Sequence, residues 1–122
     1  MAGTIAVVED EPELQALYRL MLASKGYGIA YISANADDAV DLYARCARKP
    51  DLVIMDRRLD GSSGVDAARR ILALNPEARI LFATADADQD LLHGPPGFVG
   101  VLQKPFSMEA MFGAIERALA GQ

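Results

Sequence analysis

The chain has 122 residues, 52% of them apolar, and a formal net charge of −5. That length suits one domain with one ordinary core, and an apolar content this high without a repeat or low-complexity tract excludes a disordered chain. The acids gather at Glu9, Asp10, Glu11 and Glu13 and again at Asp86, Asp88 and Asp90, whereas Arg57–Arg58 and Arg69–Arg70 are only doublets, so no basic stripe exists to track a nucleic-acid backbone.

Met1 is followed by Ala2 and Gly3 without a basic region or a long apolar one, so no secretory signal is read. Thr4 to Val8 forms a first strand that stops at Glu9 and Asp10. Pro12 suits the first turn of a helix whose inner face is Leu14, Leu17, Tyr18 and Met21, ending at Gly26. A second strand covers about Gly28 to Ser33, and Asn35 caps a helix reaching roughly Ala47, with Asp37 and Asp38 favoured in its first turn by the helix dipole. The lone Cys46 reads as a small, half-buried helix residue, and a chain with nothing to staple has a cytoplasmic location as its default. Pro50 and Asp51 break the chain before Leu52 to Met55, a strand apolar throughout and therefore central, which stops at Asp56. The polar, flexible stretch from Asp60 to Gly64 leads into a helix with Val65, Ala68 and Leu72 on one side, closed by Asn75 and Pro76. A fourth strand, Ile80 to Ala83, stops at Thr84. Asp86 to Leu92 has room for two helical turns before Gly94, Pro95, Pro96 and Gly97 forbid continuation, so the fourth helix is short or irregular and His93 lies on the surface. Phe98 to Leu102 makes the fifth strand, running on to Lys104 and Pro105. Ser107 then caps a last helix with Met108, Met111, Phe112, Ile115 and Leu119 at helical spacing. No apolar run is long enough for a transmembrane helix.

Five βα units in series with right-handed crossovers predict a doubly wound, three-layer α/β domain spanning residues 1–122, with a five-stranded parallel sheet. In such a sheet all strands point one way, so residues at their carboxyl ends converge on one edge. Those ends carry Glu9, Asp10, Asp56, Thr84 and Lys104. Three carboxylates brought together repel strongly: at about 4 Å and an effective dielectric near 20, each pair costs roughly 4 kcal/mol. Lys104 offsets one charge, and a hard divalent cation with oxygen ligands offsets two more, which points to Mg²⁺; the cluster has no His or Cys that would argue for zinc. A nucleophilic carboxylate beside a cation, a hydroxyl and an ammonium is a phosphoryl-transfer constellation. In it Thr84 and Lys104 stabilise phosphoryl oxygens and Asp56, already ionised, becomes phosphorylated without a general base.

The sequence resembles a response-regulator receiver domain of two-component signalling along essentially its whole length. The matching pieces are V-V-E-D-E-P near the start, K-P-D-L-V-I-M-D ending at Asp56, Gly64 eight residues further on, Thr84-Ala85, and K-P-F from Lys104 to Phe106. The resemblance implies a flavodoxin-like sheet of order 2-1-3-4-5, phosphorylation on Asp56, and Mg²⁺ held by Glu9, Asp10, Asp56 and the backbone carbonyl of Arg58. It further implies the conserved hydroxyl and lysine at Thr84 and Lys104, and a small residue, Ala85, that leaves the phosphoryl pocket accessible. The implied donor is a phosphohistidine on a sensor histidine kinase or histidine phosphotransfer protein, and the signal passes to an output domain or target protein. Such a module is not an enzyme in the ordinary sense, acting only on its own phosphorylation and dephosphorylation.

Several positions depart from that pattern. Asp60 replaces the usual Pro four residues after the phosphorylated Asp, and Arg58 and Asp86 are expected to face each other across the site entrance and modulate hydrolysis of the acyl phosphate. Val101 occupies the position of the usual Tyr or Phe, three residues before the lysine, and has no ring to swing; Phe98 reads as core rather than as its substitute. A haloacid-dehalogenase-like phosphatase would need an Asp where Arg58 stands and an acidic pair after the lysine, where Pro105 and Phe106 stand. A receiver-like module that binds partners without phosphorylation remains the alternative.

Overall fold

The computed structural model describes residues 3–86 and 89–120. Strands β1 (Thr4–Val8), β2 (Gly28–Ser33), β3 (Leu52–Asp56), β6 (Ile80–Thr84) and β7 (Phe98–Gln103) form one sheet in the order β2-β1-β3-β6-β7, every neighbouring pair parallel. This is the expected 2-1-3-4-5 order, because β4 (Arg58–Leu59) and β5 (Ser62–Ser63) pair only with each other, as an antiparallel hairpin. Helices α1 (Pro12–Ser24), α2 (Ala36–Arg45), α3 (Gly64–Leu74) and α4 (Met108–Ala120) complete the fold, with a 3-10 helix at Gln89–His93.

Alternation along a strand divides the core into two layers. Ala6 and Val8 of β1 face Tyr43 of α2 and Ala67, Ala68 and Ile71 of α3. Ile5 and Val7 face Tyr18 and Leu22 of α1 and Met111 and Ile115 of α4. Every residue of β3 and β6 is buried, the outcome expected of uninterrupted apolar strands covered on both faces.

Local signals set most boundaries. Pro12 opens α1, and Gly26, at φ +80°, closes it: Gly26 N–H donates to the Ala23 carbonyl and Tyr27 N–H to that of Leu22, a pairing that needs a left-handed residue. Asn35 Oδ1 accepts from Asp38 N–H at 2.8 Å, and Ser107 Oγ from Ala110 N–H at 3.0 Å, so both expected caps form. Helix α2 ends at Arg45 rather than Ala47, leaving Cys46 half-buried as its C-cap.

Three expectations are corrected. Leu17 is 45% exposed, because the inner stripe of α1 is turned toward Tyr18, Met21 and Leu22. Met108 is also largely exposed; the row that packs begins at Met111. The stretch after Asp56 contains an ordered hairpin, anchored by buried Leu59 and turned at Gly61, whose φ is +73°. The fourth helix is short, as expected: a single 3-10 segment before Pro95 and Pro96, with His93 exposed. The expected start of that helix falls partly on Ala87 and Asp88, outside the described residues. Among the described residues no helix is long and apolar enough to cross a membrane.

Arg79, just before β6, donates from one guanidinium nitrogen to the terminal α4 carbonyls of Ala118 and Leu119 at 3.1 and 2.7 Å. A cation here satisfies carbonyls that have no partner within the helix and faces the negative end of its dipole. Arg79→Ala is expected to destabilise the fold by about 1.5 kcal/mol, read as a lower urea midpoint at unchanged m-value.

Candidate functional site

The sheet's hydrogen-bond ladder runs one residue past the strand ends and so aims the side chains beyond them. Glu9 N–H donates to the Ser33 carbonyl at 2.8 Å, Arg57 N–H to Ala83 at 2.9 Å, and Lys104 N–H to Thr84 at 2.7 Å. Glu9, Asp56 and Thr84 are buried polar residues at this edge, and Asp10 and Lys104 are half-buried. All five residues singled out in the sequence therefore meet, although they span most of the chain.

Lys104 Nζ lies 3.0 Å from Glu9 Oε1 and 3.2 Å from Asp56 Oδ2. Glu9 Oε2 accepts from Glu11 N–H at 3.0 Å, and Asp10 Oδ2 from Asp60 N–H at 2.7 Å. One carboxylate oxygen each from Glu9, Asp10 and Asp56 falls within 4.8 Å of the others. Three hard oxygen donors with no nitrogen or sulfur ligand, carrying more negative charge than Lys104 neutralises, fit a cation of the Mg²⁺ type. A cleft of ≈ 430 Å³ opens over them, lined by Asp10, Asp56, Arg58, Thr84, Asp86 and Lys104 among others. Exposed Ala85 at its rim leaves the entrance uncrowded.

Close packing holds Asp56 in place. Gly64, the first residue of α3, lies so near β3 that a Cβ built on it would sit 1.9 Å from the Asp56 carbonyl oxygen. Its N–H donates to the Arg57 carbonyl at 2.9 Å. Below the site the Tyr18 hydroxyl is buried with no hydrogen-bond partner among the described residues, and burial together with the Glu9 and Asp56 charges pushes its pKa up.

Arg58 and Asp86 face each other across the entrance, as expected from their positions, with Nη2 and Nε at 3.0 and 3.1 Å from Asp86 Oδ2. The sequence reading did not anticipate that Arg57 shares this oxygen, at 3.3 Å. Its one signal was the Arg57–Arg58 doublet. Nor did it anticipate Gln15, whose amide donates to the Glu9 carbonyl at 2.6 Å, or the Asp60 N–H bond to Asp10. On the output side, Phe98 is core, packed edge-on against Phe82 at 4.8 Å between centroids, and Val101 is half-buried against the same cluster.

Burial raises the pKa of both Glu9 and Asp56, and Lys104 opposes the rise without cancelling it. Burial alone would depress Lys104, but its bond to Glu9 and the charge of Asp56 hold its pKa above the ordinary value. An acid whose pKa is higher in the folded than in the unfolded chain binds more protons when folded. Its contribution to stability therefore falls as pH rises from the unfolded value through the folded one. Asp56→Asn is accordingly expected to stabilise the metal-free protein by about 1 kcal/mol at pH 7, the gain shrinking toward about pH 4. Urea unfolding at several pH values measures this; a variant less stable than the parent at pH 7 would refute it.

The sequence matches the response regulator receiver domain family over residues 5–116. It is 35% identical over 118 residues to the transcriptional regulatory protein PdtaR of Mycobacterium tuberculosis, covering 95% of this chain and 56% of that protein. The response regulator PhyR of Brucella abortus superposes with a TM-score of 0.82 at 32% identity, over 98% of this chain and 49% of that one. The chain thus spans about half the length of these two relatives. The receiver domain of sensor histidine kinase PA1611 from Pseudomonas aeruginosa, whose structure has a magnesium ion coordinated in the active site cleft, superposes with a TM-score of 0.83 at 29% identity, covering 98% of each chain. A five-stranded parallel sheet of order β2-β1-β3-β6-β7 and a family match over nearly all of its length lead to one conclusion: the chain belongs to the response regulator receiver domain family, the signalling domain of two-component systems.

Proposed function

We propose that this domain accepts a phosphoryl group on Asp56 in a Mg²⁺-dependent reaction and changes conformation to signal in a two-component phosphorelay. The observation that carries the reading is the Lys104 ammonium bound to both Glu9 and Asp56 beneath a cleft that also reaches Thr84. The donor is a phosphohistidine of a sensor histidine kinase or a histidine phosphotransfer protein, and the recipient of the signal is an output domain or a target protein.

An Asp56 carboxylate oxygen attacks phosphorus; the new O–P bond forms as the donor's N–P bond breaks, and the bonding pair returns to the imidazole. Glu9, Asp10, Asp56 and the carbonyl of Arg58 would hold Mg²⁺, which when bound supplies positive charge for the carboxylates and the phosphoryl oxygens. Lys104 stabilises one phosphoryl oxygen by charge. The Thr84 hydroxyl now accepts from Asp86 N–H at 3.1 Å and keeps its own proton to donate to a second oxygen. Arg58 N–H, whose influence lowers the Asp56 pKa, would donate to a third. Since the carboxylate is the nucleophile, no catalytic histidine is needed. Two roles follow for this domain: signalling, and turnover of its own acyl phosphate.

A second reading, partner binding without phosphorylation, is favoured by one observation: half-buried Val101 packs where a mobile aromatic ring would report the state of the site. Incubation with Mg²⁺ and a small phosphodonor followed by intact mass separates the two. One added phosphoryl group, absent in Asp56→Asn, is expected; no transfer to the parent protein sinks the first reading and leaves the second. The Arg58–Asp86 pair spans the entrance and restricts water, so Arg58→Ala and Asp86→Ala are each expected to speed dephosphorylation by about threefold or more. Unchanged decay of the acyl phosphate in both variants would remove that role.

A further inference from the structure

A second cleft lies beside the candidate phosphoacceptor site rather than over it. It measures ≈ 640 Å³ and is lined by Arg57, Arg58, Arg69, Ser62, Ser63 and Phe98 among others. Its origin is local. Pro95 and Pro96 end the helical segment after one 3-10 stretch, and Gly94 lets the chain lie close on Phe98, where an added Cβ would stand 2.9 Å from the ring. A full helix is thereby replaced by a short wall, and the face of α3 beside it stays open.

Among the described residues the lining of this cleft is basic in a chain of net charge −5: it brings together three of the 12 cationic residues and one acid, Asp90. Arg57 and Arg58 bind a carboxylate oxygen of Asp86, outside this lining, at 3.0 to 3.3 Å. Arg69 is exposed on α3 and has no carboxylate partner among the described residues; its guanidinium rests over the Phe98 ring at 5.6 Å. A guanidinium over an aromatic face is attracted to it by charge and still has N–H donors to offer an oxyanion. Val65, Leu91 and Phe98 give the same hollow an apolar side.

We infer that this cleft docks an acidic segment of a partner protein, its carboxylates on Arg69 and the Arg57–Arg58 pair and an apolar side chain against Val65 and Phe98. The mixed lining and the size favour a peptide over a bare inorganic anion. Arg58 lines this cleft and the cleft over Asp56 alike, so a change at one is felt at the other without an aromatic relay on β7. Docking itself needs no phosphoryl transfer.

The test uses the unmodified protein and a fluorescein-labelled nine-residue peptide of alternating Glu and Leu, followed by fluorescence polarisation at low salt. Saturable binding is expected, weakened by about tenfold or more in Arg69→Glu, largely kept in Arg69→Lys, and little changed in Arg117→Glu, an equal charge reversal on α4. Thermal unfolding of each variant checks that it is folded. No saturable binding, or equal weakening in Arg69→Glu and Arg117→Glu, would overturn the proposal. So would an Arg69-dependent site that saturates with inorganic phosphate and not with the peptide, which would assign the cleft to a small anion.

Discussion

The Lys104 ammonium lies between two buried carboxylates, and the remaining polar chemistry of the molecule is arranged around that contact. Glu9 follows β1 and Asp56 ends β3, while Lys104 follows β7, two strands from β3 and three from β1, so one side chain ties the centre of the sheet to its edge. Buried charge is tolerable only when paired and hydrogen-bonded. Here the pairing is incomplete: one ammonium faces the charge of Glu9, Asp10 and Asp56, and burial holds the pKa values of Glu9 and Asp56 above their ordinary range despite Lys104. The fold thus holds at its carboxyl edge a site that is short of positive charge and open to a cleft.

A second consequence concerns how the edge communicates with the surface. In a packed α/β domain, movement at a strand end reaches the exterior only through groups that have two places to go. Phe98 does not qualify, since it is locked edge-on against Phe82 and covered by Arg69 and Gly94. Val101 offers few rotamers. The groups at the edge with alternatives are polar ones: Arg58 and Asp86, paired on the surface, and the Thr84 hydroxyl, bound to Asp86 N–H. Among the described residues, these polar contacts gather beside the β4–β5 hairpin and not on β7.

The layered fold was legible because each strand and helix carried its own local signal, whereas the strand order came from the family resemblance. The unbroken Leu52 to Met55 run marked a central strand, and Asn35 and Ser107 marked helix starts, because capping depends on residues three apart. Helix faces were less legible. Leu17 and Tyr18 are adjacent and both apolar, and only the direction from which the sheet approaches α1 buries the second and exposes the first. The β4–β5 hairpin was hidden for a similar reason: its Ser-rich half reads as loop, and burial of Leu59 orders it.

Of the candidate site, the sequence by itself determined the five side chains and their common edge, because parallel strands must end together whatever lies between them. Ladder hydrogen bonds running past those ends convert that rule into placement. The tertiary structure alone decided the partners: Arg57 sharing Asp86 with Arg58, Asp60 N–H on Asp10, and a basic cleft where the fourth helix is cut short. These contacts join residues up to 50 positions apart, and no local pattern encodes them. They arise from where packed elements leave a donor facing an acceptor, and that is a property of the assembled fold.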